Sequence, residues 1–428
     1  MKKYTVLILF IVFLQSFSVN AQDLNKTAKK KISKLEKLMS KAKKKGFDIT
    51  REKTIVWFSK EFLKIAKWDE KNVPFIQNSF EKFKPLKGDK AEMAKNLPNF
   101  ERKKVIEILD KGIHTLTAVM NGTIKRRPVR KVDWKNIKVE KDQFTSNGKP
   151  IFLYDYFSKS MGNPTSDKRI YNDHLGNIDR IGGVTPHFLK EDRTFVPHIL
   201  NRINQHPDDK VGYLLLWNSS VPKWIKKQDP EVNKGLSSFI GYDIDNPLMH
   251  DVWSTILQKT GTITKGRKGV QMGYILANEP HWFSEKGNWA FKRGEMNSLS
   301  SYTLAKFNKW LSVKYKNNIA DLNKNWNTNF NTFNDVKFDF PLSKQSKGTP
   351  HRYDWDRFNM DRVVEWFTFL QTELHKTNPT GDTHIKLQPH FFSDDDRSHG
   401  IDIESLIELT TMIGDDAKTR ERDLRYNR

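Results

Sequence analysis

Hydrophobic and polar positions repeat along this chain with two different periods, and the change of period divides it. Between residues 24 and 45, Ile32, Leu35, Leu38, Met39 and Ala42 recur near helical spacing with lysines between them, and Gly46 ends the run. Asp48-Ile49-Thr50 opens a second helical pattern through Trp57, Phe58, Phe62, Leu63, Ile65 and Ala66. Further helical signal lies at 80–83 and from Phe100 to Val119, closed by Asn121-Gly122. Residues 22–125 therefore read as a helical module whose Trp and Phe side chains make its own core. The basic stretch 125–131 reads as a linker, and segment 126–149 continues into short strands around an Asn147-Gly148 turn.

From residue 150 the pattern changes to short apolar runs alternating with helical ones, which argues for parallel βα units. Strands are expected at 150–157, 211–217, 239–245, 273–279, 384–389 and 410–414, with helices at 194–206, 247–257, 300–315, 355–375 and 403–409. Between the first strand and the first of these helices, 158–194 reads as a long polar, Gly-rich loop. A closed (β/α)8 barrel needs eight strands, and an open edge would leave backbone unpaired. Six strands imply that residues 150–428 are an incomplete barrel, cut from a longer chain.

Charge and targeting signals sharpen this division. Lys2 and Lys3 precede an apolar run from Val6 to Leu14, and Val19-Asn20-Ala21 has the small-residue character of a cleavage site, so residues 1–21 read as a signal peptide. That run is too short for a membrane anchor, and no later stretch is long enough to span one. The expected address is therefore secreted, periplasmic or on the cell envelope. The chain has no cysteine, which excludes disulfides and thiolate metal sites. Its net charge is +23, and residues 22–149 carry 34 Lys and Arg against 16 Asp and Glu. The remaining 150–428 are nearly balanced. A basic exported module could dock on an anionic polysaccharide, although a solvated lysine-rich helical face is the simpler reading. Export argues against nucleic acid as a partner.

The candidate chemistry sits in Gly273-Tyr274-Ile275-Leu276-Ala277-Asn278-Glu279-Pro280-His281-Trp282. An apolar run of this length reads as a buried parallel strand, and Pro280 cannot extend its ladder. Glu279 then stands at the C-terminal lip of a strand, where α/β barrels place their chemistry. A carboxylate there, beside an amide able to hold a sugar hydroxyl, suits the general acid of a glycosidase. The plain alternative is a strand-end Glu in a surface ion pair.

Several segments in this order resemble glycoside hydrolase family 50, the β-agarases. They are Gly241-Tyr242-Asp243-Ile244-Asp245-Asn246-Pro247, the 273–282 stretch, His399-Gly400-Ile401-Asp402-Ile403-Glu404 and Met412-Ile413-Gly414-Asp415-Asp416. The resemblance covers about residues 150–416, and its most specific part is Leu-Ala-Asn-Glu-Pro-His-Trp, since clan relatives share only Asn-Glu-Pro. It implies a retaining hydrolase on a (β/α)8 barrel that cleaves β-1,4 bonds of agarose without a cofactor. It gives Glu279 the acid/base role and Asn278 a hydrogen bond to the sugar hydroxyl beside the reacting carbon. The family's nucleophile is a second Glu at the end of the seventh strand. No other Glu of this chain ends a predicted strand, so the resemblance implies catalysis that this chain alone does not complete.

Other residues at strand ends are candidates for holding sugar. Trp217, Trp224 and Trp282 would stack on ring faces, His281 would bond a hydroxyl or tune Glu279, and His390 would face the ligand. No spaced His, Asp and Glu set accompanies them, so no metal is expected. Asp243 and Asp245 read as structural. The alternatives are a hydrolase of another β-galactan, such as porphyran or carrageenan, or of β-galactosides, and a non-catalytic polysaccharide-binding chain or pseudo-enzyme.

Overall fold

The amphipathic pattern of the N-terminal third forms helices α1 (Ala21–Lys44), α2 (Thr50–Lys71), α3 (Val73–Lys82) and α4 (Lys90–Met120) in the computed structural model. The structure describes residues 21–83, 86–127, 132–133, 136–140, 143–152, 179–206, 208, 211–237, 239–286, 298–337, 339–388, 391 and 397–415. The expected signal peptide up to residue 20, the strand from residue 153 onward and His390 lie outside the described residues. The chain separates into two compact units, Met1–Lys131 and Val132–Arg428.

The first unit has an aliphatic core, contrary to the reading of its aromatics. Ala28, Ile32, Leu35, Ala42, Val56, Val105, Leu109 and Leu116 are buried together. Helices α1, α2 and α4 approach closely at Gly112, where an added Cβ would lie 3.0 Å from Ile55 Cδ1 and 3.2 Å from Leu35 Cδ2. Phe62, Trp68, Phe75, Phe83 and Phe100 are instead exposed. The inward face of α2 is taken by Glu52, Val56, Ser59, Ala66 and Asp69, so the aromatic positions between them fall outside. Glu52 is paired with Arg126, and buried Arg102 with Glu70.

The second unit opens with an antiparallel meander of β1 (Lys138–Glu140), β2 (Gln143–Ser146) and β3 (Lys149–Pro150). Asn147 and Gly148 both have positive φ, as a tight hairpin turn requires. The rest is α/β. Strands β4 (Asp179–Val184), β5 (Gly212–Leu216), β6 (Tyr274–Asn278), β7 (Thr383–Leu387) and β8 (Met412–Asp415) form one sheet in chain order, each parallel to its neighbour. Between them run α5 (Pro197–Asn204), α6 (Lys223–Gln228), α7 (Pro247–Thr264), α8 (Ser301–Lys314), α9 (Ile319–Trp326), α10 (Pro350–His375) and α11 (Ile403–Leu409). Consecutive parallel strands with helical crossovers are the wall of a (β/α)8 barrel. Its main core joins Leu214, Leu216, Tyr274 and Leu276 of the sheet to Val252, Trp253, Ile256, Trp366 and Phe367 of α7 and α10. A smaller core gathers α8, α9 and the first half of α10 around Phe307, Trp326 and Trp355.

Two strand assignments differ from expectation. Residues 179–184 read as loop but form β4; Asp-Arg-Ile-Gly-Gly-Val has no apolar run, and its pairing with β5 shifts register between Arg180 and Gly182. Residues 239–245 read as a strand but form none, because β5 and β6 pair directly with each other. That segment is held instead by Gly241 N donating to Asn218 O and by the Tyr242 hydroxyl donating to Asn218 Oδ1. No described helix is long and apolar enough to cross a membrane.

Candidate active site

Strand β6 is locked before it reaches the site. Gly273 enters it with φ +89°, where a Cβ would meet Asp382 O at 2.6 Å. Tyr274, buried against α7, receives a hydrogen bond from Asn378 Nδ2 at 2.9 Å. A register shift against β7 between Ile275 and Ala277 then brings Asn278 level with Lys386. Bulges of this kind re-aim side chains beside active sites.

Glu279 follows immediately, with φ +50°. A non-glycine residue in the left-handed region costs on the order of 1–2 kcal/mol, and its surroundings must hold it there. Here the backbone N–H donates to Lys386 O at 2.6 Å, and the carbonyl lies 2.9 Å from His281 Nδ1. The carboxylate takes Lys386 Nζ on Oε1 at 2.9 Å and Gln388 Nε2 on Oε2 at 3.3 Å. The Glu279 and Lys386 side chains are 19% and 22% exposed, so both remain within reach of a ligand.

Lys386 and Gln388 were not singled out from the sequence, although a signal existed. A barrel strand buried on both faces reads as continuously apolar, whereas His384-Ile385-Lys386-Leu387-Gln388 alternates. Ile385 and Leu387 are buried in the core, leaving the polar residues on the opposite face. His384 adds no charge there, since burial pushes its imidazole down to about 4. Asn218, also missed, sits at the end of β5 and is 4% exposed. Its Nδ2 donates to Leu216 O and Leu276 O at 3.0 and 2.9 Å, tying the tips of β5 and β6 together.

The aromatic candidates separate. Trp217 follows β5, is 48% exposed, and lies over Gly183 of β4, where an added Cβ would come 1.9 Å from its Cδ1. The absent side chain at Gly183 is what leaves room for the indole. Trp282 is corrected as a stacking platform. It is 1% exposed, packs edge-on against Phe367, and its carbonyl accepts from Asn359 Nδ2, so it presents no open ring face. Trp224 is half-buried: its indole N–H donates to Leu189 O at 3.1 Å, and the Arg193 guanidinium lies over its ring at 4.9 Å. His281 is fully buried between Phe239 and Phe283 and touches the backbone of Glu279. Asn278 is half-buried at the end of β6, next to Glu279.

Asp243 and Asp245 form a separate buried cluster at the start of α8. Ser300 and Thr303 donate to Asp243, while Arg362 and Lys306 pair with Asp245 at 2.6 and 3.0 Å. Burial and the neighbouring Asp245 push the Asp243 carboxyl up to about 6. Burial works against the Asp245 charge too, but Arg362 and Lys306 outweigh it and hold its carboxyl low.

Comparison with known proteins bears on this site. The family model of glycoside hydrolase family 42, β-galactosidase, matches residues 291–425. The structure of apo exo-carrageenase GH42 from Bacteroides ovatus is 36% identical with a TM-score of 0.77, over 91% of this chain and 52% of that one. This chain thus spans about half the length of that enzyme. Two β-galactosidases are far more distant and add no argument. The one from Rahnella sp. R3 is 17% identical over 56% of this chain and 35% of its own, with a TM-score of 0.41. The one from Halorubrum lacusprofundi is 16% identical over 55% and 36%, with a TM-score of 0.40. No curated protein sequence matches. The resemblance to family 50 is therefore corrected: the segments that carried it include an Asn-Glu-Pro core common to the clan, and the family model and the 36% identical structure point to family 42 instead.

Proposed function

We propose that this chain carries part of the catalytic domain of an exported glycoside hydrolase of family 42 type that acts on a galactan, with Glu279 as its general acid/base. The observation that carries this reading is the placement of Glu279 at the C-terminal end of a barrel strand, beside Asn278 and with its carboxylate within reach of a ligand. In this role Glu279 protonates the departing glycosidic oxygen and then activates water, while Asn278 holds the neighbouring hydroxyl. Trp217 supplies an exposed aromatic face on the adjacent strand for a sugar ring. Carrageenan-type galactans are the preferred substrate class, because the 36% identical structure is described as an exo-carrageenase. Agarose, which rested on the family 50 resemblance, enters as the unsulfated comparison.

Product release from carrageenan and agarose oligosaccharides by the full chain, beside Glu279→Gln, tests this reading. The substitution is expected to lower kcat by about 100-fold or more, with the wild type preferring the carrageenan series. Equal turnover by wild type and Glu279→Gln would remove Glu279 from the mechanism. Cell fractionation checks export: the processed chain should leave the cytoplasm.

A further inference from the structure

Helix α2 carries a second apolar face that its own core does not use. Phe58, Phe62, Ile65 and Trp68 stand at i, i+4, i+7 and i+10, which places them along one flank of the helix. Val56 and Ala66 take the inward face together with Glu52, Ser59 and Asp69, so the rings are left outside while polar groups go in. Phe62, Ile65 and Trp68 are 41–49% exposed. Ring contacts make the stripe continuous: Phe58 meets Phe62 at 6.4 Å, and Trp68 meets Phe75 of α3 edge-on at 5.6 Å. Phe75 is itself 60% exposed, on a helix with no buried residue. Contiguous apolar surface of this kind marks an interaction site. Lys64, Lys67 and Lys71 run beside it at i, i+3 and i+7, all exposed. Lys64 is paired with Glu61, whereas Lys67 and Lys71 have no carboxylate partner among the described residues.

We propose that this face seats the chain on an anionic lipid bilayer, with the rings of Phe62, Trp68 and Phe75 entering the boundary between headgroups and acyl chains. The residue types select this partner over two others. Phenylalanine and isoleucine have no hydrogen-bonding group for sugar hydroxyls, and a carbohydrate site needs fixed polar partners beside its rings. Lysine is depleted from protein–protein interfaces, because its charge must be stripped of water there. At a bilayer the same lysine lays its stem along apolar surface and keeps its ammonium among the headgroup phosphates. Free ammonium groups beside exposed rings therefore complement a negative surface with an apolar layer just beneath it. Attachment of this kind does not depend on the chemistry at Glu279.

Co-sedimentation of the processed chain, from Gln22 onward, tests this with vesicles of equal parts phosphatidylglycerol and phosphatidylcholine and with vesicles of phosphatidylcholine alone. Starting at Gln22 removes the apolar run from Val6 to Leu14, which would insert by itself. A lysine close to an anionic surface is worth about fivefold in partitioning, so Lys67 and Lys71 should make the mixed vesicles bind about 25-fold tighter. Lys67→Gln and Lys71→Gln should each weaken that binding about fivefold, and Trp68→Ser and Phe75→Ser about tenfold each. All four side chains are exposed, and thermal melting checks that each variant folds. Binding that ignores the ring substitutions is adsorption by charge alone and overturns the proposal, as does equal or absent binding to the two kinds of vesicle. Ring variants that lose retention on a sulfated galactan while vesicle binding is unchanged would give the stripe to polysaccharide instead. Dimerisation that Trp68→Ser abolishes, in a chain that does not sediment with vesicles, would give it to a second copy.

Discussion

At the scale of single residues, the site depends on positions whose backbones or missing atoms matter more than their side-chain type. Glu279 sits in a left-handed conformation because three hydrogen-bonding groups of its backbone and carboxylate are tied to β7 and to His281. Gly183 works by absence: its bare Cα is the floor on which Trp217 rests. Gly183→Ala should push the indole aside and raise the Kd for a galacto-oligosaccharide about fivefold, the scale of one aromatic contact of about 1 kcal/mol. Trp217→Ala should give a similar loss, and calorimetric titration of both variants checks it. A Gly183→Ala variant that binds as the wild type does would mean that Trp217 is not a sugar platform. The sequence showed Trp217 and Glu279 as candidates, but nothing in it distinguished the exposed ring of Trp217 from the buried ring of Trp282. That distinction lies in what packs over each ring.

At the scale of elements, helix positions were legible and strand pairing was not. Helix α11 spans the residues its pattern predicts, and α7 begins at Pro247, as expected, where the structure adds an Asn246 cap. Strand β4 was hidden because its glycines carry no apolar period, while 239–245 carries one without pairing in the sheet. Packing of α2 against α4 has a consequence for stability. Burial, together with the nearby Asp69, pushes the Glu101 carboxyl up to about 7. A folded value above the unfolded one contributes stability that is complete below the unfolded value and lost as pH rises through about 7. Amides of α2 and α4 should therefore be less protected from hydrogen exchange at pH 8.5 than at pH 5.5, after correction for intrinsic rates. Glu101→Gln should level that difference; an unchanged difference would place its origin elsewhere.

At the scale of the whole molecule, charge is divided as unevenly as structure. The excess of Lys and Arg in 22–149 sits largely on an all-helical unit, whose solvent face also carries Trp68, Phe75 and Phe100. Exposed pairs of charges are screened within about 10 Å at 0.1 M salt and about 3 Å at 1 M. Retention of the full chain on a sulfated galactan should therefore fall several-fold across that range, and retention on agarose should change little. Salt-independent retention would mean that the basic residues are only a solvated helical surface.

The sequence by itself determined the helical N-terminal third, the alternating βα order after it and the strand that ends at Glu279. Each of these follows from local periodicity and from residues such as proline and glycine that end an element wherever they stand. Only the tertiary structure decided that Lys386 and Gln388 meet the Glu279 carboxylate, that Asn218 joins two strand tips, and that Trp282 is interior. Those facts depend on strand register and on which faces meet, and register links residues more than 100 positions apart. No local pattern encodes such a pairing, because it exists only once the neighbouring strands lie side by side.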